Sequence, residues 1–166
     1  MAAATGASTT PGDTQVVLFG STGWDTQREM TKARDPAELL YLPSVISCLS
    51  GKRVLSVASH AASSHCIAVC ASGQGCFAWG RNESGQLGLG DMVTRLSPAP
   101  VKIPGGGDVI AAATGKSHSM FILSAGAGVL SAGSNKMGQL GSGSLKPTES
   151  TSPMAVVALP AGGADG

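Results

Sequence analysis

Short apolar segments alternate with polar, glycine-rich segments from residue 16 onward. Each apolar segment is four to seven residues long and ends at a turn signal, a pattern that favours β-strands over helices. By contrast, residues 25–38 hold seven charged residues in fourteen positions and are predicted to face solvent. Strands are therefore predicted at 16–19, 41–46, 54–58, 64–69, 75–79, 99–103, 109–113, 117–123, 129–132 and 153–159.

One nine-residue phrase occurs twice, at 80–88 and again 53 residues later at 133–141. A period of this size indicates stacked supersecondary units, because one unit cannot bury its apolar face alone. His65 and His118 repeat at the same distance. The residues shared by the two phrases are Gly80, Asn82, Gly85, Gln86, Leu87 and Gly88 in the first copy, and Gly133, Asn135, Gly138, Gln139, Leu140 and Gly141 in the second.

The repeated phrase predicts a strand followed by a tight structural loop. Its glycines suit backbone at positive φ, and Asn82 can bond to nearby backbone as in an Asx turn. Leu87 is the one large apolar side chain available to anchor the loop in a core. The paired histidines are expected to make a buried hydrogen bond between strands in each copy, because a catalytic histidine needs no second copy.

The pattern Phe77-x-Trp79-Gly80-x-Asn82-x-x-Gly85-Gln86-Leu87-Gly88-x-Gly90 resembles the signature of the regulator-of-chromosome-condensation repeat family. The stretch 18–25 and the second phrase are most similar to the second-regulator branch of that family. The family fold is a seven-bladed β-propeller. The resemblance therefore implies an all-β chain that forms a partial β-propeller, with two complete four-stranded blades plus flanking strands of the ring.

The repeats divide the chain into five predicted parts. These are a flexible leader at 1–15, a first strand and charged loop at 16–40, repeats at 41–95 and 96–148, and the start of a further repeat at 149–166. Propellers need about four to eight blades to close, so we expect an N-terminal fragment of a longer gene product. A chain of this length is expected to self-associate through its open sheet edges.

Composition and charge exclude several functional classes. Eleven basic and ten acidic residues give a net charge of +1, which offers nucleic acid no electrostatic attraction. No apolar run approaches the roughly 20 residues that span a bilayer, and residues 1–13 lack the features of a secretory signal. No cofactor and no membrane contact are expected, and a location in the nucleus, the cytoplasm or both is expected by default.

Two chemical alternatives remain open in the sequence. Gly20-Ser21-Thr22-Gly23 after a predicted strand is similar to the opening of a dinucleotide-binding turn, although Thr26 stands where a third glycine belongs. A nucleotide-binding enzyme that uses this turn is the rival hypothesis. Cys66, Cys70 and Cys76 with His60 and His65 could form a metal site, but the first two cysteines fall inside an apolar strand, where buried thiols are common.

The favoured interpretation is a protein-interaction module rather than an enzyme, acting through its loops. The resemblance implies guanine-nucleotide exchange on a small GTPase, or a scaffold at chromosomes and the mitotic apparatus. Arg81, Lys136 and Arg28 are candidate contacts to a protein partner because they lie on predicted turns or in the charged segment. Trp24 is expected to fold back as an apolar plug in its loop.

Overall fold

The protein folds into three antiparallel sheets stacked side by side. A computed structural model describes residues 2–7, 14–21, 39–124, 128–143 and 150–157. Beyond strands, the described residues include one short 3-10 helix at Ser47–Leu49. They include no helix long and apolar enough to cross a bilayer.

Each sheet is built from strands that follow one another in the chain, and each strand pairs with the next one. The second and third sheets have four strands each, as expected for propeller blades. Sheet A contains β1 (Ala2–Ala7), β2 (Thr14–Ser21) and β3 (Leu39–Val45). Sheet B contains β4 (Val54–Ala58), β5 (His65–Cys70), β6 (Cys76–Gly80) and β7 (Arg95–Pro100). Sheet C contains β8 (Val109–Thr114), β9 (His118–Leu123), β10 (Val129–Gly133) and β11 (Ser150–Val157).

The grouping of strands into sheets differs by one strand from the grouping expected from chain order. The strand predicted at 41–46 closes sheet A by pairing with β2, and the strand predicted at 99–103 closes sheet B by pairing with β6. The last strand, predicted at 153–159 as the start of a further unit, is instead the outer strand of sheet C. A sequence period fixes how often a unit recurs, but hydrogen-bond pairing decides where each sheet begins.

The predicted leader at 1–15 also contains a strand. β1 pairs antiparallel with β2, with Ala2 opposite Phe19 and Ala7 opposite Thr14. The segment predicted as a flexible leader therefore includes a strand at Ala2–Ala7. The whole charged segment at 25–38, which includes Arg28, lies outside the described residues, as does Trp24.

A bulge at the same place relates the three sheets to one another. The register shifts between Leu18 and Gly20 in sheet A, between Ala78 and Gly80 in sheet B, and between Ser131 and Gly133 in sheet C. Bulges are positional features of a fold rather than defects. β2 is therefore equivalent to β6 and β10, so sheet A is a third version of the same unit.

Two apolar cores hold the stack together, one on each face of sheet B. Every residue of β5 is buried because both of its faces are covered. Strand alternation sends Ile67 and Val69 toward sheet C, and Cys66 and Ala68 toward sheet A. The residues of sheet C in the first core are Phe121, Leu123, Leu130 and Ala132. The second core contains Val16 of sheet A, Leu49 of the short helix, and Val54 and Trp79 of sheet B.

Candidate protein-interaction face

The repeated phrase forms a compact loop directly after the third strand of sheet B. Asn82, whose side chain is fully buried, organises it: Oδ1 accepts a hydrogen bond of 2.9 Å from the Leu87 N–H. The Gly85 N–H donates to the Asn82 carbonyl, and the Gly88 N–H to the Gly85 carbonyl, each over 3.0 Å. Two successive turns are thereby fixed, and Leu87 is placed with no exposed surface in the core between sheets B and C.

The second phrase forms the same loop after the third strand of sheet C. Asn135 Oδ1 accepts from the Leu140 N–H over 3.1 Å, and the glycine turns recur at Gly138 and Gly141. Gln139 Oε1 accepts from the Met137 N–H, as Gln86 Oε1 accepts from the Ser84 N–H. The two loops are thus built alike by side chains that bond to backbone.

Gly80 and Gly133 must be glycine because another strand passes too close for a side chain. Gly80 has φ +109°, and a Cβ there would lie 2.5 Å from the Ser64 carbonyl oxygen and 2.6 Å from His65 Cα. Gly133 has φ +113° and would meet the Ser117 carbonyl oxygen in the same way. The close approach lets the backbone after each glycine bond the neighbouring strand: the Arg81 N–H donates to the Ser64 carbonyl over 2.9 Å.

An acidic residue closes the first loop. Asn82 Nδ2 donates to the Asp91 carbonyl and carboxylate and to the Val93 carbonyl over 2.8, 3.1 and 3.2 Å. Asp91 also accepts from the Val93 N–H and pairs with Arg95. The Val93 N–H and Arg95 hold the pKa of Asp91 below its usual range. Residues 82–95 are therefore a braced unit rather than a free linker.

The tips of both loops carry exposed apolar side chains. Met137 is 89% exposed, Val93 59% and Met92 41%. The loops follow equivalent strands of adjacent sheets, so these side chains lie at the same end of the stack. Large apolar side chains held outward on a rigid scaffold are typical of binding surfaces, and methionine suits them because its thioether is adaptable. These three residues were not among the predicted partner contacts, which were all charged residues.

The three charged residues predicted to contact a partner have different surroundings. Arg81 forms an ion pair with Glu83, and its side chain is only 21% exposed. Lys136 lies on the second loop, next to Met137. Arg28 lies outside the described residues. The structure thus brings Lys136 into the exposed loop tip and leaves Arg81 partly neutralised.

His65 makes the expected buried hydrogen bond between strands, and the partner strand belongs to the neighbouring sheet. His65 Nε2 lies 2.7 Å from Ser119 Oγ, and the Ser119 hydroxyl donates to the Gln86 carbonyl over 2.7 Å. Because that hydroxyl has one proton, His65 Nε2 must be the donor to it. His65 Nδ1 is buried without a partner among the described residues. Burial, aided by the nearby His118, lowers the pKa of His65 to about 4.

The sequence offers only a partial indication that Ser119 is the partner of His65. Ser119 follows the repeated His118 as Cys66 follows His65, so a small side chain recurs at this position. Its partner, however, comes from the preceding repeat, and sequence spacing alone does not show which sheet faces it. Together His65, Ser119 and Gln86 join a strand of sheet B, a strand of sheet C and the signature loop.

The structure gives the nucleotide-binding alternative little support. Gly20 lies within β2 at the bulge position of Gly80 and Gly133, and β2 is antiparallel to both of its neighbours. A dinucleotide-binding turn instead links a strand of a parallel sheet to a helix. Thr22 and Gly23 lie outside the described residues. A groove of about 270 Å³ between sheets A and B is lined by Leu18, residues 44–48 and residues 96–98, and none of these is charged.

The three cysteines of the possible metal site behave as buried apolar residues. Cys66, Cys70 and Cys76 are buried, and burial raises the pKa of each thiol, that of Cys76 to about 12. Within the described ranges, no cluster of three metal-ligating side chains occurs. Thiols with raised pKa values are poor nucleophiles and poor metal ligands.

Comparison with known proteins agrees with this architecture. The family model for the regulator of chromosome condensation (RCC1) repeat matches residues 75–122. Protein RCC2 from Homo sapiens is 37% identical over 137 residues, which cover 78% of this chain and 26% of that protein. Protein RCC2 from Mus musculus is 36% identical with the same coverage. The chain thus spans about a quarter of the length of the curated relatives it matches.

Solved structures with the same fold are propellers of this repeat type. Human WBSCR16 is 25% identical, with a TM-score of 0.62 over 86% of this chain and 33% of that one. Prp20p from Saccharomyces cerevisiae, a yeast RCC1, is 21% identical, with a TM-score of 0.66 over 90% and 33%. The repeated loop, the three equivalent sheets and these likenesses lead to one conclusion. The chain belongs to the RCC1 repeat family and folds as a partial β-propeller.

Proposed function

We propose that this chain is a protein-binding module whose contact surface is formed by the loop tips at Met92, Val93, Lys136 and Met137. The observation that carries the proposal is the exposure of three large apolar side chains on two braced loops at one end of the stack. The loops are held by Asn82 and Asn135, so a partner meets a preformed surface and loses little binding energy to ordering. No acid, base or nucleophile is needed for this role.

A small GTPase is the partner that we propose first. The solved structure of Prp20p is described together with its binding to Gsp1p and histones, and Prp20p shares the fold of this chain. The neutral overall charge of this chain favours a folded protein partner over nucleic acid. We also propose the nucleus, the cytoplasm or both as its location.

Guanine-nucleotide exchange is the finer form of the same proposal. Exchange requires tighter binding to the nucleotide-free GTPase than to the loaded one. A protein that binds both states equally does not shift the equilibrium between them. Two loops offer few contacts for such discrimination. We therefore expect this chain alone to bind without accelerating nucleotide release.

The test is binding of the full chain to a panel of small GTPases, each nucleotide-free and loaded, by biolayer interferometry. Met137→Glu should weaken binding at least about tenfold, because it places a charge in an apolar contact. Leu55→Glu is the matched control, since Leu55 is 55% exposed in β4 at the end of sheet B opposite Gly80, and it should leave binding unchanged. Equal effects of both substitutions would contradict the assignment of the surface.

A further inference from the structure

The outer strand of sheet B carries an exposed serine that is followed by proline. Ser97 and Pro98 lie in the middle of β7, and Ser97 is exposed to solvent. Within the described residues, the Ser97 hydroxyl has no hydrogen-bond partner. Sheet B packs against sheet A on one face and sheet C on the other, so both neighbours of the strand's own sheet are present. The hydroxyl is therefore available for chemistry with another molecule.

The proline at this position has a structural reason that does not extend to the serine. Pro43, Pro98 and Pro153 lie 55 residues apart, each in the outer strand of its sheet. Proline suits an edge strand because it has no backbone N–H to leave unpaired. The residue before it is Leu42 in sheet A, so the edge does not require a hydroxyl there. Ser97 is thus not explained by the fold.

The backbone around Ser97 is extended and only loosely held by the sheet. Between the register pairs of Ala99 and Arg95, residues 96–98 lie opposite Trp79 alone. A bulge leaves its extra residues outside the ladder, and no described strand pairs with the other edge of β7. A residue before proline is also confined to extended conformations. A protein kinase binds its substrate as an accessible extended segment, and this part of β7 has that form.

The basic residue nearest to Ser97 in the sequence is Arg95. It precedes Ser97 by two residues, so their Cα atoms are at most about 7 Å apart, a distance that an arginine side chain can span. Arg95 pairs through Nη2 with Asp91, and its Nη1 donates to the Val93 carbonyl over 2.7 Å. These two interactions tie the start of β7 to the loop that carries Met92 and Val93.

We propose that Ser97 is a phosphorylation site for a proline-directed protein kinase, and that its phosphate competes with Asp91 for Arg95. In the transfer, Ser97 Oγ attacks the γ-phosphorus of ATP, and the bond from that phosphorus to the bridging oxygen of ADP breaks. The hydroxyl proton passes to the base of the kinase and then to solvent, and ADP leaves.

The competition follows from charge. A serine phosphate carries about 1.5 to 2 negative charges at neutral pH and accepts paired hydrogen bonds from a guanidinium, whereas the Asp91 carboxylate carries a single charge. When Arg95 turns to the phosphate, the loop at residues 82–95 loses one of its braces. This inference concerns a covalent modification and holds whichever partner the loop tips bind.

The first test asks whether the folded chain is modified at Ser97. Thr10→Ala and Ser152→Ala leave Ser97 as the one serine or threonine that precedes proline. The full chain with these substitutions is incubated with a purified cyclin-dependent kinase and ATP, and mass spectrometry of its peptides should locate one phosphate on Ser97. Pro98→Ala keeps the hydroxyl and should slow the reaction at least about tenfold.

A synthetic peptide of residues 91–103 is the positive control, because its serine is fully accessible. Phosphorylation of the peptide without phosphorylation of the chain would show that the fold withholds Ser97, and it would overturn the proposal. An equal rate for Pro98→Ala would overturn the assignment to a proline-directed kinase.

The second test is hydrogen exchange of the phosphorylated and unmodified chains. Phosphorylation should speed exchange in residues 82–94 about threefold, the effect expected from loss of one partly exposed ion pair, and should leave β5 unchanged. Arg95→Ala removes the contested cation, so phosphorylation of that variant should add no further increase. An equal increase in Arg95→Ala, or no change in a fully phosphorylated chain, would overturn the competition for Arg95.

Discussion

His65 shows how one buried side chain connects elements that are distant in sequence. Its ring lies inside the B–C interface with the proton on Nε2, because Ser119 uses its own hydroxyl proton on the Gln86 carbonyl. A second proton would have to enter at Nδ1, which is buried and faces no acceptor among the described residues. The interface therefore tolerates only the neutral imidazole.

This constraint makes stability depend on pH. The pKa of His65 is about 4 in the folded chain and about 6.5 in an unfolded chain, so the unfolded state binds more protons between those values. The stabilisation is fully present above pH 6.5 and is lost as the pH falls toward 4. Between pH 7.5 and pH 5, the free energy of unfolding should drop by about 2 kcal/mol.

Denaturant titrations at the two pH values measure this drop. His65→Gln keeps a donor near Ser119 without a titrating ring, so the variant should lose most of the pH dependence. A small remainder is expected from His118, whose pKa burial also lowers. An unchanged pH dependence in the variant would mean that other groups control stability in this range.

At the scale of single elements, the first signature loop depends on the amide of Asn82. Its nitrogen donates to the Asp91 carbonyl and carboxylate and to the Val93 carbonyl, so it is surrounded by oxygen atoms. Its oxygen accepts from Leu87. A carboxylate of the same shape could still accept from the Leu87 N–H. Its second oxygen, however, would face the oxygen atoms of Asp91 and Val93 and would repel them.

Asn82→Asp should therefore destabilise the chain by about 3 kcal/mol at neutral pH, because it buries a charge beside Asp91. Combining it with Asp91→Asn removes that neighbouring charge and should restore about 1 kcal/mol. Chemical denaturation of the four proteins in this double-mutant cycle gives the coupling directly. Additive effects would show that repulsion from Asp91 plays no part.

Most strands and both signature loops could be predicted from the sequence, but β1, the bounds of β7 and the arrangement of the strands could not. Alternation and glycine spacing located Val54–Ala58 to the residue, and the Asn82 loop followed from its glycines and its one leucine. The assignment of Leu39–Val45 to sheet A depends on its pairing with β2, which no local pattern encodes. The His65 partner was missed for the same reason, since Ser119 belongs to another sheet. The exposure of Met137 could not be predicted either, because the alternation of polar and apolar residues around it is common in turns.

At the scale of the whole molecule, sheets B and C share one core and should unfold together. Phe121 has no exposed surface and packs with residues of both sheets, among them Ile67 and Leu130. The His65 chain of hydrogen bonds and the Gly73 N–H, which donates to Asp108 over 2.9 Å, join the same two sheets. The described stack is thus coupled across sheets as well as within them.

Phe121→Ala should lower the free energy of unfolding by about 3 to 5 kcal/mol, because it leaves a cavity in the shared core. Hydrogen exchange should then show equal loss of protection in β5 and β9. Ile122→Ala changes the next residue, whose side chain is 44% exposed, and should lower the free energy of unfolding by less than about 1 kcal/mol. Loss of protection confined to β9 would indicate that the sheets open independently.

The bulge shared by β2, β6 and β10 has an evolutionary consequence. The chain enters and leaves each sheet at equivalent points, and the bulge glycines Gly20, Gly80 and Gly133 lie 60 and 53 residues apart. A gain or loss of one whole unit by unequal recombination therefore preserves every strand pairing on either side. A change of half a unit would leave a sheet without its outer strands. Lineages of such genes are therefore expected to vary in length by whole units, while loop tips such as Met137 diverge from one copy to the next.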